Sequence, residues 1–432
     1  MSRRPRRRPP AAPCALLALA LLATVALAAC TSFGRQQRVL VGPEPTATRS
    51  GRSRATPVPT IGGPPEPTPI APITHLVPSQ TLAFVSDRGG QIDLWLTDIV
   101  TGQLWRLTDD KAVESFPAWS PDGTMLAYVV EDQHQERNLW ILDLATGERH
   151  QLTHEKDPFD VRRAAWLAGG HALIYDTGQP FDRRPELRVV TLDGATLAPL
   201  TPPSGSVIFD WATDGATLVA AVGPPLGEPR LVVADAVPGA RLNPDPALPV
   251  GFGVALSPDG RYVTYQAPPL SDNQTTWVLD LDTGDRLPLN EDAPGRRYEH
   301  DFAWSPSGRL LAYVHGVGGV TDGIGRLKVT DSPPPTTDPL VGIWMVDRTG
   351  QGRDWLTTGS TDAAPVWSPD GRWLAYLSAG VEPLTSNIWL LAVDPLYRRQ
   401  LNLTAGRGAP GDNGNNWSPT WMPLAGEGPG GR

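Results

Sequence analysis

From about residue 80 to residue 423 the chain is written in short runs of alternating apolar and polar positions, separated by turns rich in Pro, Asp and Gly. Period-two runs of this kind are half-buried β-strands, and no amphipathic helical stretch competes with them. The fullest copy of the unit runs from Phe116 to Thr153: FPAWSPDGTMLAYVV, a polar gap, then NLWILDLATGERHQLT. Its turn recurs as SPDG at Ser257 to Gly260, WSPDG at Trp367 to Gly371 and WSPSG at Trp304 to Gly308. A repeat of roughly 45 residues holding four strands' worth of pattern predicts a propeller blade.

The tryptophan that opens each repeat, or its stand-in, falls at Trp119, Trp166, Trp211, Leu256, Trp304, Trp367 and Trp421. Each marks an inner strand (a). A Pro-Asp-Gly turn follows, in which Pro presets one dihedral and Gly accepts the left-handed position. Strand b is LAYVV from Leu126, ALIYD from Ala172, YVTYQ from Tyr262, LLAYV from Leu310 and WLAYL from Trp373. Strand c reads LWLTD at Leu94, LWILD at Leu139, LRVVT at Leu187, WVLDL at Trp277, IWMVD at Ile343 and IWLLA at Ile388. Strand d tends to finish in Leu-Thr, at residues 107–108, 152–153, 200–201 and 356–357. Residues 81–108 supply strands b, c and d of a blade with no strand a before them, and Asn416 to Pro423 supply a lone strand a. The expected fold is therefore an all-β, seven-bladed β-propeller of four-stranded antiparallel blades, closed by the C-terminal strand, which removes the open edges. An alternative register puts Ile73 to Val77 in the closing place.

The ends read differently. Arg3, Arg4, Arg6, Arg7 and Arg8 precede an apolar run from Cys14 to Ala29, as in a secretory leader. That run is shorter than the roughly 20 residues a membrane-spanning helix needs. Residues 1–29 are thus expected to be a signal peptide. Residues 30–72 form a Pro-, Thr- and Ser-rich tether with nine prolines from Pro43 to Pro72, too poor in aliphatic residues to build a core. Residues 73–423 form the propeller and 424–432 a tail. Cys14 and Cys30 are the only cysteines, so the propeller holds no disulfide and rests on packing. Five arginines and no acid lie in residues 1–29, so a chain cut there carries a net charge of −14 against −9 for the whole. Nucleic acid is a poor partner for that balance.

The phrases PAWSPDG and LAFVSDRGG…DLWLTD, with the Leu-Thr strand ends, resemble the WD40-like repeats of the TolB C-terminal propeller, a repeat also found in prolyl-oligopeptidase-type enzymes. The resemblance covers residues 80–423, and the residues that carry it are scaffold, so it implies the fold and not an activity. Leu27-Ala28-Ala29-Cys30 resembles the lipobox of bacterial lipoproteins, which implies that Cys30 becomes a lipidated N-terminus. Several acyl chains on one residue anchor far better than one. The implied location is extracytoplasmic, on the cell membrane or on an outer membrane.

Candidate chemistry is thin. No G-x-S-x-G nucleophile elbow occurs anywhere in the chain. The histidines sit at unrelated repeat positions, and His150 and His154 share no helical face that would make them a ligand pair. Asp122, Asp259 and Asp370 in the turns, and Asp98, Asp143, Asp280 and Asp347 at the ends of strand c, are expected to accept local backbone N–H groups. The tryptophans of strands a and c are expected to fill space between blades. Insertions fall in the b–c and d–a connections: 176–186, 222–230, 267–275, 315–341 and 405–415. These emerge on one face, where binding loops on rigid scaffolds reside.

Five residues before each marker lie Glu114, Val161, Ser206, Gly251, Glu299, Asp362 and Asn416, which on a propeller would ring the channel mouth. Glu114, Glu299 and Asp362 would make it acidic, with Arg162 and His300 one residue further in. Three converging carboxylates predict a bound cation such as calcium, or a basic peptide terminus; the plain alternative is a solvated rim. No cofactor, catalytic residue or metal-ligand motif is indicated. The function expected is a membrane-anchored, non-catalytic binding or scaffold module for a cell-envelope protein, peptide or glycan. The alternatives are a metal-dependent lyase or hydrolase with its site in the channel, and a sensory partner of a membrane kinase or transporter.

Overall fold

The chain divides into two units, residues 1–64 and residues 65–432. The computed structural model describes residues 73–424, apart from 74, 157–159, 179–185, 246, 249, 251–252, 268–274, 290–298, 317–319, 322–326, 329–340, 360, 380–384, 397 and 405–414. The leader, Cys30, the tether, Gly251 and most of the insertion at 315–341 lie outside the described residues. Within them every regular element is a strand, and no helix is long and apolar enough to cross a membrane.

Seven antiparallel blades follow one another along the chain. Their inner strands are Asn416–Trp421 (blade 1), Val113–Trp119 (blade 2), Val161–Trp166 (blade 3), Val207–Thr213 (blade 4), Ala255–Leu256 (blade 5), Glu299–Trp304 (blade 6) and Ala363–Trp367 (blade 7). Every phase marker read from the sequence lies on its inner strand. Blade 1 is completed from both ends of the domain: Asn416–Trp421 pairs with Thr81–Ser86, Ala83 opposite Thr420 and Ser86 opposite Asn416. The closing strand is thus the C-terminal one. Ile73 instead donates its amide to the Leu144 carbonyl in blade 2 (3.0 Å).

Strands b and c read as near-continuous apolar runs because both of their faces are covered by neighbouring blades. Leu126 to Val130 are all buried, as are Leu82 to Val85. The core is consequently a set of inter-blade layers. One joins blades 2 and 3, one blades 3 and 4, and so on around the ring. Between blades 7, 1 and 2 the layers merge into a single cluster around Phe84, Leu94, Trp417 and Trp421.

The turn motif works as the sequence predicts. Ser120 Oγ donates to the Asp122 carboxylate (2.6 Å) and accepts from Met125 N (2.9 Å), and Ser368 repeats this with Asp370 and Trp373 N. The strand-c aspartates do the same locally: Asp98 accepts from Val100 N and Thr101 N, Asp143 from Ala145 N and Thr146 N. Because these side chains occupy the backbone donors, the strands stop early. The a–b and c–d turns run from three to seven residues.

One blade departs from the expected four strands. Blade 4 has three, ending at Arg230–Asp235. Residues 236–250 hold Pro238, Pro244, Pro246 and Pro249, which cannot donate to a ladder. The segment makes isolated contacts instead: Leu231 N donates to Leu248 O (2.9 Å), and Thr201 N in blade 3 donates to Ala240 O (3.1 Å).

Candidate functional site

The inner strands meet around the ring, and the marker tryptophans stitch them together. In four of them the indole N–H donates to the carbonyl just ahead of the previous blade's marker: Trp119 to Thr420 O (3.2 Å), Trp166 to Ala118 O (3.0 Å), Trp367 to Ala303 O (3.0 Å) and Trp421 to Val366 O (3.2 Å). These indoles are buried, as space-fillers should be. Their donor role was not read from the sequence. The strand-c tryptophans, such as Trp95 and Trp344, are only half-buried.

The stitch fails at three consecutive seams. Trp211 of blade 4 donates to the Asp176 carboxylate instead (3.1 Å). Blade 5 has Leu256, which has no donor. Trp304 of blade 6 has a buried indole N–H without a hydrogen-bond partner. Charged side chains take over there. Arg163 donates to Asp210 (2.9 Å) and to Trp211 O (3.0 Å), lies 3.5 Å from Asp176, and covers the Trp211 ring at 4.6 Å. Asp210 in turn accepts from Gly253 N (3.1 Å) and Val254 N (3.0 Å), so one carboxylate holds blade 4 to blade 5. Gln266 donates to the Glu299 carbonyl across the seam between blades 5 and 6.

Four of the residues expected at the channel mouth occupy equivalent places at or near the start of inner strands, and all four are buried: Asn416 in blade 1, Glu114 in blade 2, Glu299 in blade 6 and Asp362 in blade 7. Three have complementary partners. Asn416 accepts from Arg88 Nη2 (2.6 Å) and donates to Ser386 O (3.2 Å). The Glu299 carboxylate lies 3.8 Å from Nδ1 of His315, its cross-strand neighbour. Asp362 accepts from Gly359 N (3.1 Å); burial pushes its carboxyl up, while hydrogen bonds from Ser378, Thr357 and Gly359 oppose the shift. A methyl group at Gly359 would run into that carboxylate.

Glu114 differs. Its carboxyl oxygens have no hydrogen-bond partner, and its cross-strand neighbour is Val130. Burial, with Asp110 and Asp93 nearby, pushes its carboxyl up to about 9. Arg162 and His300, one residue further in, are half-buried, and His300 Nδ1 lies 3.3 Å from Asp301. Among the described residues no group of three or more His, Cys, Asp or Glu is placed to hold a metal ion. The three carboxyl groups sit in separate blades, Glu114 in blade 2, Glu299 in blade 6 and Asp362 in blade 7.

Two residues beyond each of these four lies a non-glycine residue in the left-handed region: Phe116 (φ 50°), Asp301 (φ 53°), Ala364 (φ 49°) and Ser418 (φ 49°). The strand register shifts at each. Such backbone costs about 1–2 kcal/mol per residue and persists only where its surroundings over-determine it. At blades 6 and 7 that support is visible: Asp301 accepts from Ala364 N (2.9 Å).

With the geometry in hand, the comparisons speak to fold. A family model, the dipeptidyl peptidase IV (DPP IV) N-terminal region, matches residues 88–165. Among solved structures the chain is similar to the β-propeller domain of the Trilobed protease from Pyrococcus furiosus, with a TM-score of 0.54 and 12% identity over 77% of this chain and 97% of that one. It is similar to an acylaminoacyl peptidase, with a TM-score of 0.52 and 13% identity over 78% of this chain and 52% of that one. It is also similar to TolB from Acinetobacter baumannii, with a TM-score of 0.48 and 16% identity over 80% and 67%. No curated protein matches the chain in sequence. These likenesses are of the propeller alone. The Pyrococcus domain is described as having an open velcro topology, whereas here the terminal strand pairs with Thr81–Ser86.

Proposed function

We propose that this chain is a non-catalytic propeller that binds a protein, peptide or glycan of the cell envelope through its b–c and d–a connections, held outside the cell by a lipidated Cys30. The observation that carries this reading is the division of labour between the two faces. On one, turns of three to seven residues are locked by Ser, Asp and Thr side chains. On the other, connections reach 26 residues between His315 and Gly342. The polar residues of the repeat hold turns and seams together.

The test is crosslinking and pull-down from intact membranes with the full chain, beside a variant whose residues 317–340 are replaced by a short Gly-Ser turn. The expected result is a partner that is captured by the full chain and lost with the insertion. Equal capture by both would remove the insertion from the binding face. Turnover with bound metal would replace the reading by the lyase or hydrolase alternative. The family match at residues 88–165 favours peptide within the ligand classes named, because the peptidases among the structural neighbours carry propellers of this kind.

A further inference from the structure

The seam between blades 1 and 2 contains a group that the repeat does not explain. At the matching position of blades 1, 6 and 7 the buried polar side chain faces a polar neighbour: Arg88, His315 (3.8 Å) or Ser378. In blade 2 the neighbour is Val130, and Glu114 is enclosed with no donor on either oxygen. Every charged or titratable group around it can be named. From blade 1 comes Asp93, fully buried and gripped by Arg106 (2.7 and 3.1 Å). From the connecting loop comes Asp110, paired with Arg149 (3.0 Å). From blade 2 itself come Arg149 and the Tyr128 hydroxyl. Arg106 is paired with Asp93 and Arg149 with Asp110; the Arg149 charge favours an ionised Glu114, but Asp110 and Asp93 oppose it more strongly. An ionised Glu114 would leave one buried negative charge uncompensated, which the closed seam disfavours.

We infer that Glu114 is a proton-held latch: its neutral carboxyl keeps the seam between blades 1 and 2 closed, and its ionisation opens that seam. The opened state presents Glu114 to water, where it ionises as an ordinary carboxylic acid; the closed state holds the proton to much higher pH. Opening therefore becomes easier as pH rises. The loop carrying Asp110 lies on the face of the b–c and d–a connections, so opening would loosen that face next to the closing blade. The latch is independent of what that face binds.

The experiment is amide hydrogen exchange of the full chain from pH 6 to pH 8.5, corrected for intrinsic exchange, reading peptides that cover residues 92–98 and 113–119. The wild type is expected to show a local opening constant that rises about tenfold per pH unit. Glu114→Gln, which cannot ionise, is expected to be flat over the same range. Val130→Thr, which offers a hydroxyl to the carboxylate, should shift the rise towards lower pH. Infrared titration of the wild type gives a reading that needs no variant: a buried protonated carboxyl band at pH 6 that is lost at alkaline pH and missing from Glu114→Gln. An equal rise in Glu114→Gln, or no protonated carboxyl at pH 6, would overturn the latch.

Discussion

Blades 6, 7, 1 and 2 form one continuous arc, blades 3, 4 and 5 the other, and the same repeat is executed differently in each. In the first arc the indole stitch is intact at every internal seam. In every one of its blades the threonine just past strand d accepts an amide near the start of strand c: Leu94 N to Thr108, Leu139 N to Thr153, Ile343 N to Thr357 and Ile388 N to Thr404, each at 2.9 Å. Each blade there also carries the left-handed bulge residue. In the second arc Thr201 uses its backbone to pair with residues 240–242 instead, blade 4 lacks its fourth strand, and the inner strand of blade 5 shrinks to Ala255–Leu256. Its seams depend on Arg163, Asp176 and Asp210. A propeller therefore does not need every device in every blade. Where the regular hydrogen bonds lapse, charged side chains restore the connection.

The largest test of this contrast is removal of residues 416–432, which takes the inner strand out of blade 1 and breaks the firm arc at its centre. The expected outcome is loss of a single cooperative melt by calorimetry, with exposed apolar surface. A truncated protein that melts unchanged would mean that the C-terminal strand does not close the ring.

The next test uses the flaw inside the firm arc. Burial raises the Glu114 carboxyl from about 4.5 to about 9. Between those values the unfolded chain gives up its proton and the folded one keeps it, so the contribution is complete below about 4.5 and is lost as pH climbs towards 9. Glu114→Gln removes that slope. Its melting temperature should exceed that of the wild type at pH 8, and the gap should narrow towards pH 5 by about 1.4 kcal/mol per pH unit. A constant gap would separate the effect from ionisation.

Smaller differences sharpen the comparison by pairing equivalent residues. Thr153→Val leaves the Leu139 amide buried without an acceptor and should cost about 1–3 kcal/mol. Thr201→Val, at an exposed position with no such clamp, should stay within about 0.5 kcal/mol in urea denaturation. Trp367→Phe and Trp304→Phe lose similar volume, but only the first loses an indole hydrogen bond. The first should be worse by about 1 kcal/mol.

Much of this architecture was legible in the chain. The markers gave the phase, and the orphaned strands at 81–108 and 416–423 gave the closure, because an incomplete blade at each end has one economical solution. The aspartates of the turns were readable because their partners are local backbone amides. Blade 4 was not readable in the same way. Its strand c, Leu231-Val232-Val233, lacks the tryptophan that marks strand c in blades 1, 2, 5, 6 and 7, and the loss of its fourth strand follows from four prolines whose effect depends on what would have paired there. Three of the indole stitches join residues 48 to 64 positions apart and the fourth, Trp119 to Thr420, residues 301 apart, so no local pattern announces them. Glu114, Glu299, Asp362 and Asn416 could be recognised as equivalent positions. Their burial could not, since it is set by bulges at Phe116, Asp301, Ala364 and Ser418, and none of those residues is a glycine.

The central claim is that one ring holds a firm arc and a compliant one. Native-state hydrogen exchange at pH 6 with increasing urea tests it most directly. The account predicts that at this pH, where the Glu114 latch is closed, amides in the middle strands of blades 6, 7, 1 and 2 open last, while those of blades 3, 4 and 5 open earlier at lower free energy. Uniform protection around the ring, or blade 1 opening first, would contradict it.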